Sequence, residues 1–358
     1  MKTLRLAVDP GALDHAESRR AIAQAAEILR QGGLVAFPTE TVYGLGANAL
    51  DAAAVARIFA AKQRPAWDPI IVHIAGPVPF NPMLDTLVTA VSGGPTRGLM
   101  TEFWPGPLTL LLPRSAAVPD NVTAGRPLVG IRMPAHPVAF ELIQQSEVPI
   151  AAPSANVFGH ISPTTAEHVL DDLDGRIDAV LDAGPTLHGV ESTVLDPNRS
   201  PMTIYRPGSI TAAQIREIAG PVDDYAPDPM LPSAPVNALP SPGVGIRHYA
   251  PRARLILVDA SLNGMTSGLA EEADRHPSER LGFLLPVEIS ASEFAASHPN
   301  ASLYLWGHWN APEELARNLY AGLRALDSQG CTLIVCPLPP AEGLGAAIRD
   351  RLFKAAHN

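Results

Sequence analysis

Lys62 and Arg64 are the residues whose types and spacing most directly suggest chemistry. The chain of 358 residues has three lysines, Lys2, Lys62 and Lys354, and two of them lie near the ends. Lys62 stands two residues before Arg64 in KQRPAWDPIIVH, residues 62–73. A compact ammonium and a planar guanidinium can bind neighbouring phosphate oxygens. A helix C-terminus, whose dipole favours a cation, would explain one of these charges but not the second.

Further short segments combine hydroxyl groups, backbone donors and cations: PTETVYGLG, GIRMP, APSAN, HISPT, ESTV and YRPG. Ser, Thr and Pro also dominate ordinary turns, so each segment is a weak signal by itself. Together, cations and hydroxyls without a nucleophile–base pair favour a site that orients phosphates. Positioning and charge stabilisation carry most of the catalysis in phosphoryl or nucleotidyl transfer.

The common catalytic motifs are absent from the sequence. It has no Gly-Lys pair, which excludes a P-loop, and no HExxH, GxSxG or CxxC. GLGANA fits a dinucleotide fingerprint loosely, but the predicted strand before it ends at Phe37, seven residues ahead of Gly44. A hydrolase or metalloprotease of known pattern is therefore not expected.

Composition indicates a globular protein, since 46% of the residues are hydrophobic and 17% are charged. The net charge of −10 argues against a protein that binds nucleic acid over a large surface. We expect a cytoplasmic protein, because neither a signal peptide nor a membrane segment is evident. Cys331 and Cys336 are expected to be reduced, buried thiols.

The elements that position these segments follow from the apolar pattern. A first helix is predicted from residues at helical spacing: Ile22, Ala25, Ala26 and Leu29. Asp14 and Glu17 stand in a capping-box relation, and a Gly-Gly pair follows the helix. LVAFP then predicts a buried strand and TETVYGLGANAL a loop. Asp51 is expected to cap a second helix, which ends near Lys62.

Three regions are predicted along the chain. Residues 1–220 alternate β-like and helical segments, which is typical of an α/β or α+β domain. Residues 221–252 form a semi-rigid linker, because eight prolines lie between positions 221 and 251. Residues 253–358 alternate strand-like runs such as RLILVD and LGFLLP with helix-like stretches, which favours a small Rossmann-like domain with a parallel sheet.

In sequence order, PTETVYGLG, KQRP with PIIVHI, PSAN, and ESTV with YRPGSI resemble the L-threonylcarbamoyladenylate synthases. This is the YrdC-type family, in the long form with an additional C-terminal domain. The resemblance covers essentially the whole chain, including SPGVGIRHYAP and GLGAAIRDRLFKAA. It implies an α/β fold: a YrdC-like catalytic domain with a twisted, largely antiparallel or mixed sheet around a basic cavity, plus the smaller Rossmann-like domain.

The family resemblance implies a nucleotidyltransferase that makes threonylcarbamoyl-AMP from L-threonine, bicarbonate and ATP and releases pyrophosphate. Mg²⁺ is expected through the ATP phosphates, with no metal held by protein side chains. Partner proteins would transfer the threonylcarbamoyl group to tRNA, so tRNA is an indirect partner and no membrane is expected. The alternative is a non-catalytic module of the same fold that binds RNA or the ribosome. A third possibility is a carbamoyl-transfer enzyme of the same fold; such a relative normally carries zinc-finger segments, which two cysteines cannot form.

The resemblance also implies the site residues. Those around threonine would be Thr39, His73, Arg132, Ala152 and Ser192. Those around ATP would be Lys62, Arg64, Ser154, Asn156, Ser162, Arg206 and Tyr249. Arg132 would pair with the threonine carboxylate, for which a planar fork is the better match. Without the family, His73 is equally an ordinary strand-end histidine, and Ser154, Asn156 and Ser162 are equally turn or cap residues.

Two residues depart from the family pattern. Trp67 stands between Pro65 and Pro69, where small polar residues are common, and Phe158 replaces a small residue after PSAN. Trp67 has two interpretations: stacking on adenine or on the linker, or packing against its own domain. Phe158 is expected to reshape one edge of the pocket. In the family the linker passes over the cavity, so it is expected to act as a lid here.

Overall fold

The computed structural model describes residues 2–77, 81–91, 93–226, 239, 241 and 249–357. The chain divides into two compact units. The larger unit contains Met1–Phe158, Pro163–Leu187 and Glu191–Gly245. The smaller unit contains Gly159–Ser162, His188–Val190 and Ile246–Asn358. The three regions predicted from the sequence stay a prediction. Much of the predicted linker, residues 227–238, 240 and 242–248, lies outside the described residues.

The described part of the larger unit forms one mixed sheet of eleven strands. The strands are β1 Leu4–Ala7, β2 Val35–Phe37, β3 Gly44–Asn48, β4 Ile71–His73, β5 Leu108–Pro113, β6 Leu128–Arg132, β7 Ile150–Ala151, β8 Ala179–Asp182, β9 Thr193–Asp196, β10 Met202–Arg206 and β11 Val222–Asp224. Their spatial order is β1-β8-β2-β3-β7-β4-β6-β5-β9-β10-β11. Parallel pairs such as β4/β6 alternate with antiparallel pairs such as β5/β6, which confirms the predicted mixed sheet.

Helices of the larger unit pack against this sheet. They are α1 Ala16–Arg30, α2 Ala52–Lys62, α3 Pro82–Leu87, α4 Gly93–Phe103, α5 Asp120–Thr123, α6 Pro137–Ser146, α7 Ala166–Leu173 and α8 Ala212–Ala219. Helices α1 and α6 share one apolar cluster with residues of β2 and β8. Residues of α2 and α4 belong to a second cluster, together with alternate residues of the central strands. The sheet is therefore apolar on both faces over much of its width.

Helix starts depend on which polar residue can reach the first N–H groups. Asp51 caps α2 as predicted, because its carboxylate accepts from the N–H groups of Ala53 and Ala54 at 2.8 and 3.2 Å. The capping box predicted for α1 is wrong. His15 is the N-cap of α1 and makes no side-chain cap bond, so Asp14 lies one residue too early to reach the first turn.

The predicted loop TETVYGLGANAL is wrong in its second half, because Gly44–Asn48 forms β3. Glycine normally weakens a strand, and this lowered the strand signal. In the fold, a Cβ atom at Gly46 would lie 2.8 Å from both Phe37 Cε1 and Ile150 Cγ2. Glycine is therefore required here because the neighbouring strands approach the β3 backbone closely.

The smaller unit contains a four-stranded parallel sheet in the order β12-β15-β13-β14. Its strands are β12 Arg254–Val258, β13 Leu281–Pro286, β14 Ser302–Gly307 and β15 Leu333–Pro337. Its helices are α9 Leu262–Arg275, α10 Ala291–Ser297, α11 Pro312–Ser328 and α12 Leu344–Ala356. This confirms the predicted Rossmann-like parallel sheet. Cys331 and Cys336 are free and buried, as predicted.

Within the described ranges, the helices all fall short of the length and apolar character needed to cross a membrane.

Candidate active site

One row of residues crosses the central strands of the larger unit. Arg206 pairs with Val194, Val194 with Thr109, Thr109 with Arg132, and Arg132 with His73. Residues directly opposite in neighbouring strands point to the same face of a sheet. Neighbouring strands lie about 4.8 Å apart, so the row extends about 19 Å. The register thus brings three predicted site residues, Arg206, Arg132 and His73, to one face.

Arg132 is held at three of its nitrogen atoms although its side chain is only 4% exposed. Its Nε donates to the Gly106 carbonyl at 3.3 Å, and Nη1 donates to Thr41 Oγ1 at 3.0 Å. Its Nη2 lies 2.6 Å from Glu40 Oε1. A guanidinium has five N–H donors, so its hydrogen bonds to Gly106 and Thr41 leave donors over. Two parallel N–H donors are what a carboxylate takes in a bidentate pair.

Glu40 is a residue that sequence reasoning missed. It is 3% exposed and pairs with Arg132, which is 92 positions later in the chain. Burial by itself would raise the pKa of Glu40, but Arg132 and the backbone N–H groups of Glu40 and Ala135 bring it below its ordinary value. Glu40 is therefore ionised and ties the PTET turn to β6. The sequence feature that could have identified Glu40 is its position between two threonines of a predicted site segment.

Thr39 closes the PTET turn. Its hydroxyl donates to the Val42 carbonyl at 2.7 Å and lies 2.8 Å from Thr41 Oγ1. The Thr41 hydroxyl in turn accepts from Arg132. The predicted residues Thr39 and Arg132 therefore belong to one buried hydrogen-bond network.

Ser192 joins the row on its other side. Its Oγ lies 2.8 Å from Thr109 Oγ1 and accepts from Arg206 Nη2 at 3.1 Å. Arg206 Nε also donates to the Ser192 carbonyl at 3.0 Å. The structure therefore places a residue predicted for threonine directly against one predicted for ATP.

His73 is a neutral imidazole in this setting. Burial, with a smaller contribution from the charge of Arg132, lowers the pKa of His73 to about 3. Its ring packs edge-to-face on Phe37, with 6.1 Å between the ring centroids. Its Nδ1 is buried and has no hydrogen-bond partner among the described residues. Ala152 lies close by at the end of β7, where its N–H donates to the Ile71 carbonyl at 2.9 Å.

Lys62 ends α2 and is 1% exposed. Its ammonium donates to the Ser154 carbonyl at 2.6 Å and to the Asn156 carbonyl. Burial, followed by the charge of Arg64, lowers the pKa of Lys62 well below its ordinary value. The structure thus brings together three residues predicted for ATP, with Lys62 fixing the backbone of the PSAN turn.

Arg64 is held by the loop that follows it. Its Nη2 lies 2.9 Å from Asp68 Oδ1 and donates to the Pro69 carbonyl at 2.8 Å. Asp68 is fully buried and was not predicted as a site residue. Burial raises the pKa of Asp68, while the charges of Arg64, Lys62 and Arg206 act in the opposite direction. One buried carboxylate therefore experiences the charges of three predicted ATP residues.

The two aromatic departures from the family pattern contact each other. Trp67 and Phe158 pack edge-to-face with 6.1 Å between their ring centroids. Arg64 Cζ lies 5.9 Å from the centroid of the Phe158 ring. The ring of Phe158 therefore lies beside the guanidinium of Arg64. Trp67 thus packs on a residue of its own unit, and its carbonyl also accepts from the N–H of Leu239, in the predicted linker, at 2.9 Å. Stacking of Trp67 on adenine stays a prediction.

Ser162 and Tyr249 belong to the smaller unit, whereas the other predicted site residues lie in the larger one. Ser162 is fully buried and follows Ile161, whose carbonyl accepts from Arg324 of α11. Tyr249 is 4% exposed and has φ +65, a left-handed conformation. Its ring stacks on Tyr320 with 5.7 Å between centroids.

Comparison with known proteins defines the class. The Sua5/YciO/YrdC family model, described as telomere recombination, matches residues 27–208. A second model, described as the threonylcarbamoyl-AMP synthase C-terminal domain, matches residues 210–357. Together they account for both kinds of sheet.

Curated relatives identify the family more narrowly. The chain is 42% identical over 334 residues to a threonylcarbamoyl-AMP synthase of Pyrococcus abyssi, covering 93% of each chain. It is 43% identical over 339 residues to that of Bacillus subtilis, covering 94% of this chain and 92% of the other. The crystal structure of P. abyssi Sua5 complexed with L-threonine matches with a TM-score of 0.87 and 38% identity, over 99% of this chain and 98% of that one. The chain belongs to the threonylcarbamoyl-AMP synthase family, in the form with the Sua5 C-terminal domain.

Proposed function

We propose that this protein makes L-threonylcarbamoyl-AMP from L-threonine, bicarbonate and ATP and releases pyrophosphate. This would be the first step in forming N6-threonylcarbamoyladenosine in tRNA. The observation that carries the proposal is the row from Arg206 to His73, with Ser192 in contact with Arg206. Two relatives that align with this chain over more than 90% of their length are named threonylcarbamoyl-AMP synthases. These relatives support the catalytic function over the RNA-binding alternative.

Threonine is assigned to the Arg132 side of the row. The N–H donors of Arg132 that its hydrogen bonds to Gly106 and Thr41 leave over suit the threonine carboxylate, and Glu40 keeps the guanidinium in place. The hydroxyls of Thr39 and Ser192 and the backbone at Ala152 would line the remaining space. His73, kept neutral by burial, offers a ring nitrogen without a second positive charge.

ATP is assigned to the Arg206 side. Arg64 and Arg206 supply charge for the phosphates, and Lys62 holds the turn that carries Ser154 and Asn156. The family resemblance adds Ser162 and Tyr249 to this group: both belong to the smaller unit.

Mg²⁺ is assigned to the ATP phosphates. Across the described residues, no group of three or more His, Cys, Asp or Glu side chains is arranged to hold a metal ion. Bound in this way, the ion would neutralise charge on the departing pyrophosphate.

The proposed reaction has two steps. The threonine amine and bicarbonate give a carbamate and water. A carbamate oxygen then attacks the α-phosphorus of ATP, and the bond to the β-phosphate oxygen breaks, giving threonylcarbamoyl-AMP and pyrophosphate. Arginines that face the phosphates stabilise the charge that develops there, and no covalent enzyme intermediate is needed. The proposed downstream partners are proteins that transfer the threonylcarbamoyl group to tRNA, and the proposed location is the cytoplasm.

One assay tests the proposal. The purified protein is incubated with ATP, Mg²⁺, labelled bicarbonate and threonine, and pyrophosphate and labelled nucleotide product are measured. We expect pyrophosphate release only when ATP, bicarbonate and threonine are all present. Release without threonine, or labelled product in its absence, would contradict the proposed reaction.

A further inference from the structure

Two short segments of the smaller unit come from the sequence matched by the Sua5/YciO/YrdC model. Gly159–Ser162 and His188–Val190 fold with the C-terminal residues, although both lie within residues 27–208. Each follows a stretch that belongs to the larger unit. Two segments that the catalytic family model covers therefore fold with the smaller unit.

Helix α11 contacts both segments and the chain around Tyr249. Arg324 donates to the carbonyl of Ile161, next to Ser162. Tyr320 stacks on Tyr249 with 5.7 Å between ring centroids. These two helical residues are four positions apart, which places them on one face of the helix.

Gly189 extends the same set of contacts by one more helical turn. A Cβ atom at Gly189 would lie 2.3 Å from the Ala316 carbonyl oxygen and 2.5 Å from Arg317 Cα, and its φ is +71. The backbone of residues 188–190 therefore rests directly on the backbone of α11. Ala316, Tyr320 and Arg324 recur every four residues, and we call this face of the helix the α11 platform.

The segments on the platform are also joined to each other. The Ala250 N–H donates to the Gly159 carbonyl at 2.9 Å, and His160 and Ala250 form a parallel β-bridge. Arg351 of α12 lies over the ring of Tyr249, with 5.5 Å from its Cζ to the ring centroid. The backbone of Tyr249 is in a left-handed conformation that is uncommon for a residue with a large side chain. Such a conformation persists only when surrounding contacts determine it.

We propose that the α11 platform positions the ATP-binding segments of the smaller unit, with Arg324 as the positioning residue for Ser162 and Tyr320 as that for Tyr249. The inference rests on the proposed function, which assigns Ser162 and Tyr249 to ATP. It gives the smaller unit a role in the reaction.

Substitution of Arg324 tests the platform through steady-state kinetics. We expect Arg324→Gln to raise KM for ATP about tenfold, the usual result of losing one hydrogen bond from a charged donor. KM for threonine should stay within about twofold, because the segment that Arg324 contacts is assigned to ATP. Arg324→Lys keeps a donor and should restore most of the affinity. Arg275→Gln is the matched control, since Arg275 is an exposed arginine of α9 in the same unit.

Tyr320 gives a second pair of variants. Tyr320→Leu removes the ring that stacks on Tyr249, whereas Tyr320→Phe retains it. We expect the leucine variant to raise KM for ATP and the phenylalanine variant to behave as the unchanged protein. Equal KM values for ATP in both variants and the unchanged protein would contradict the role of Tyr320.

Hydrogen–deuterium exchange tests the platform independently of activity. Backbone amides of residues 159–164 and 249–252 should exchange faster in Arg324→Gln and not in Arg275→Gln. If the unchanged protein makes no threonylcarbamoyl-AMP, the proposed function fails, and the exchange result still decides whether Arg324 orders these segments. Unchanged exchange in Arg324→Gln overturns the platform. Faster exchange with an unchanged KM for ATP overturns its role in positioning ATP-binding segments.

Discussion

Two buried arginine–carboxylate pairs in the larger unit differ in how they are built. Arg132 pairs with Glu40 across 92 positions of sequence, and backbone N–H groups help to keep the pKa of Glu40 low. Arg64 pairs with Asp68 four positions later, and burial raises the pKa of Asp68. The Glu40 pair joins distant segments and stays ionised. The Asp68 pair closes a local loop that two backbone carbonyls also hold.

This difference indicates different roles. Among the three partners of Arg132 described above, Glu40 is the charged one and comes from a distant segment, so changes at Glu40 should weaken threonine binding. Arg64 also donates to the carbonyls of Asp68 and Pro69, so it should keep its position without the Asp68 carboxylate. Variants that change one pair at a time test the comparison.

Arg132→Lys should have the largest effect. A lysine cannot provide a planar fork or satisfy Gly106, Thr41 and Glu40 together. We expect kcat/KM for threonine to fall about 100-fold, or about 3 kcal/mol. The measurement is pyrophosphate release over a range of threonine concentrations. Arg5→Lys, at an arginine of β1 with 47% exposure, is the control. Values for Arg132→Lys within twofold of the unchanged protein would contradict the assignment.

Glu40→Gln should have the next largest effect. Arg132 would lose its charged partner, so we expect KM for threonine to rise about tenfold and the free energy of unfolding to fall by about 3 kcal/mol. KM for ATP should change less than KM for threonine. The control is Glu27→Gln, at an exposed glutamate of α1 that also pairs with an arginine.

The pH dependence of the Glu40 variant has a definite sign. The folded-state pKa of Glu40 is below its ordinary value, so its ionisation favours the folded state. The difference in unfolding free energy between the unchanged protein and Glu40→Gln should have its full size above pH about 4.5. It should disappear as the pH falls through the folded-state pKa of Glu40. Denaturant unfolding at a series of pH values measures it. A difference that grows on acidification would contradict the ionised state of Glu40.

Asp68→Asn should have a smaller effect of the opposite sign. The folded-state pKa of Asp68 is raised above the ordinary pKa of an aspartate. Ionisation of Asp68 therefore disfavours the folded state once the pH exceeds that ordinary pKa. We expect the free energy of unfolding of the unchanged protein, relative to that of Asp68→Asn, to decrease as the pH rises from the ordinary pKa of an aspartate through the folded-state pKa of Asp68. KM for ATP should fall by about twofold to threefold, because the charge of Arg64 is less compensated. An ATP KM raised tenfold would show that Arg64 depends on this carboxylate as Arg132 depends on Glu40.

The aromatic pair of Trp67 and Phe158 should contribute least. Trp67→Ala and Phe158→Ala, alone and combined, form a double-mutant cycle. We expect a coupling of about 0.5–1.5 kcal/mol in unfolding free energy, typical of an edge-to-face pair. KM for ATP should stay within about threefold, because the hydrogen bonds of Arg64 do not involve either ring. A coupling of zero would mean that the two rings do not interact in solution.

Several parts of this fold were predictable because they depend on local chemistry. Asp51 caps α2 because its side chain reaches N–H groups two and three residues ahead. The segments LVAFP, RLILVD and LGFLLP contain β2, β12 and β13 as predicted, because branched apolar residues suit a buried sheet. Strand β3 was missed because its glycines are required by neighbours, Phe37 and Ile150, that the local sequence does not reveal.

The sequence by itself determined the family, the two kinds of sheet and the segments that carry Lys62, Arg64, Arg132 and Arg206, because motif order and apolar pattern are properties of the chain. Only the tertiary structure decided which groups meet. Strand register put Arg206, Thr109, Arg132 and His73 in one row, and burial selected Glu40 and Asp68 as partners. Pairing across many residues depends on the packing of whole elements, since a charge buried in a core requires a partner wherever the fold supplies one.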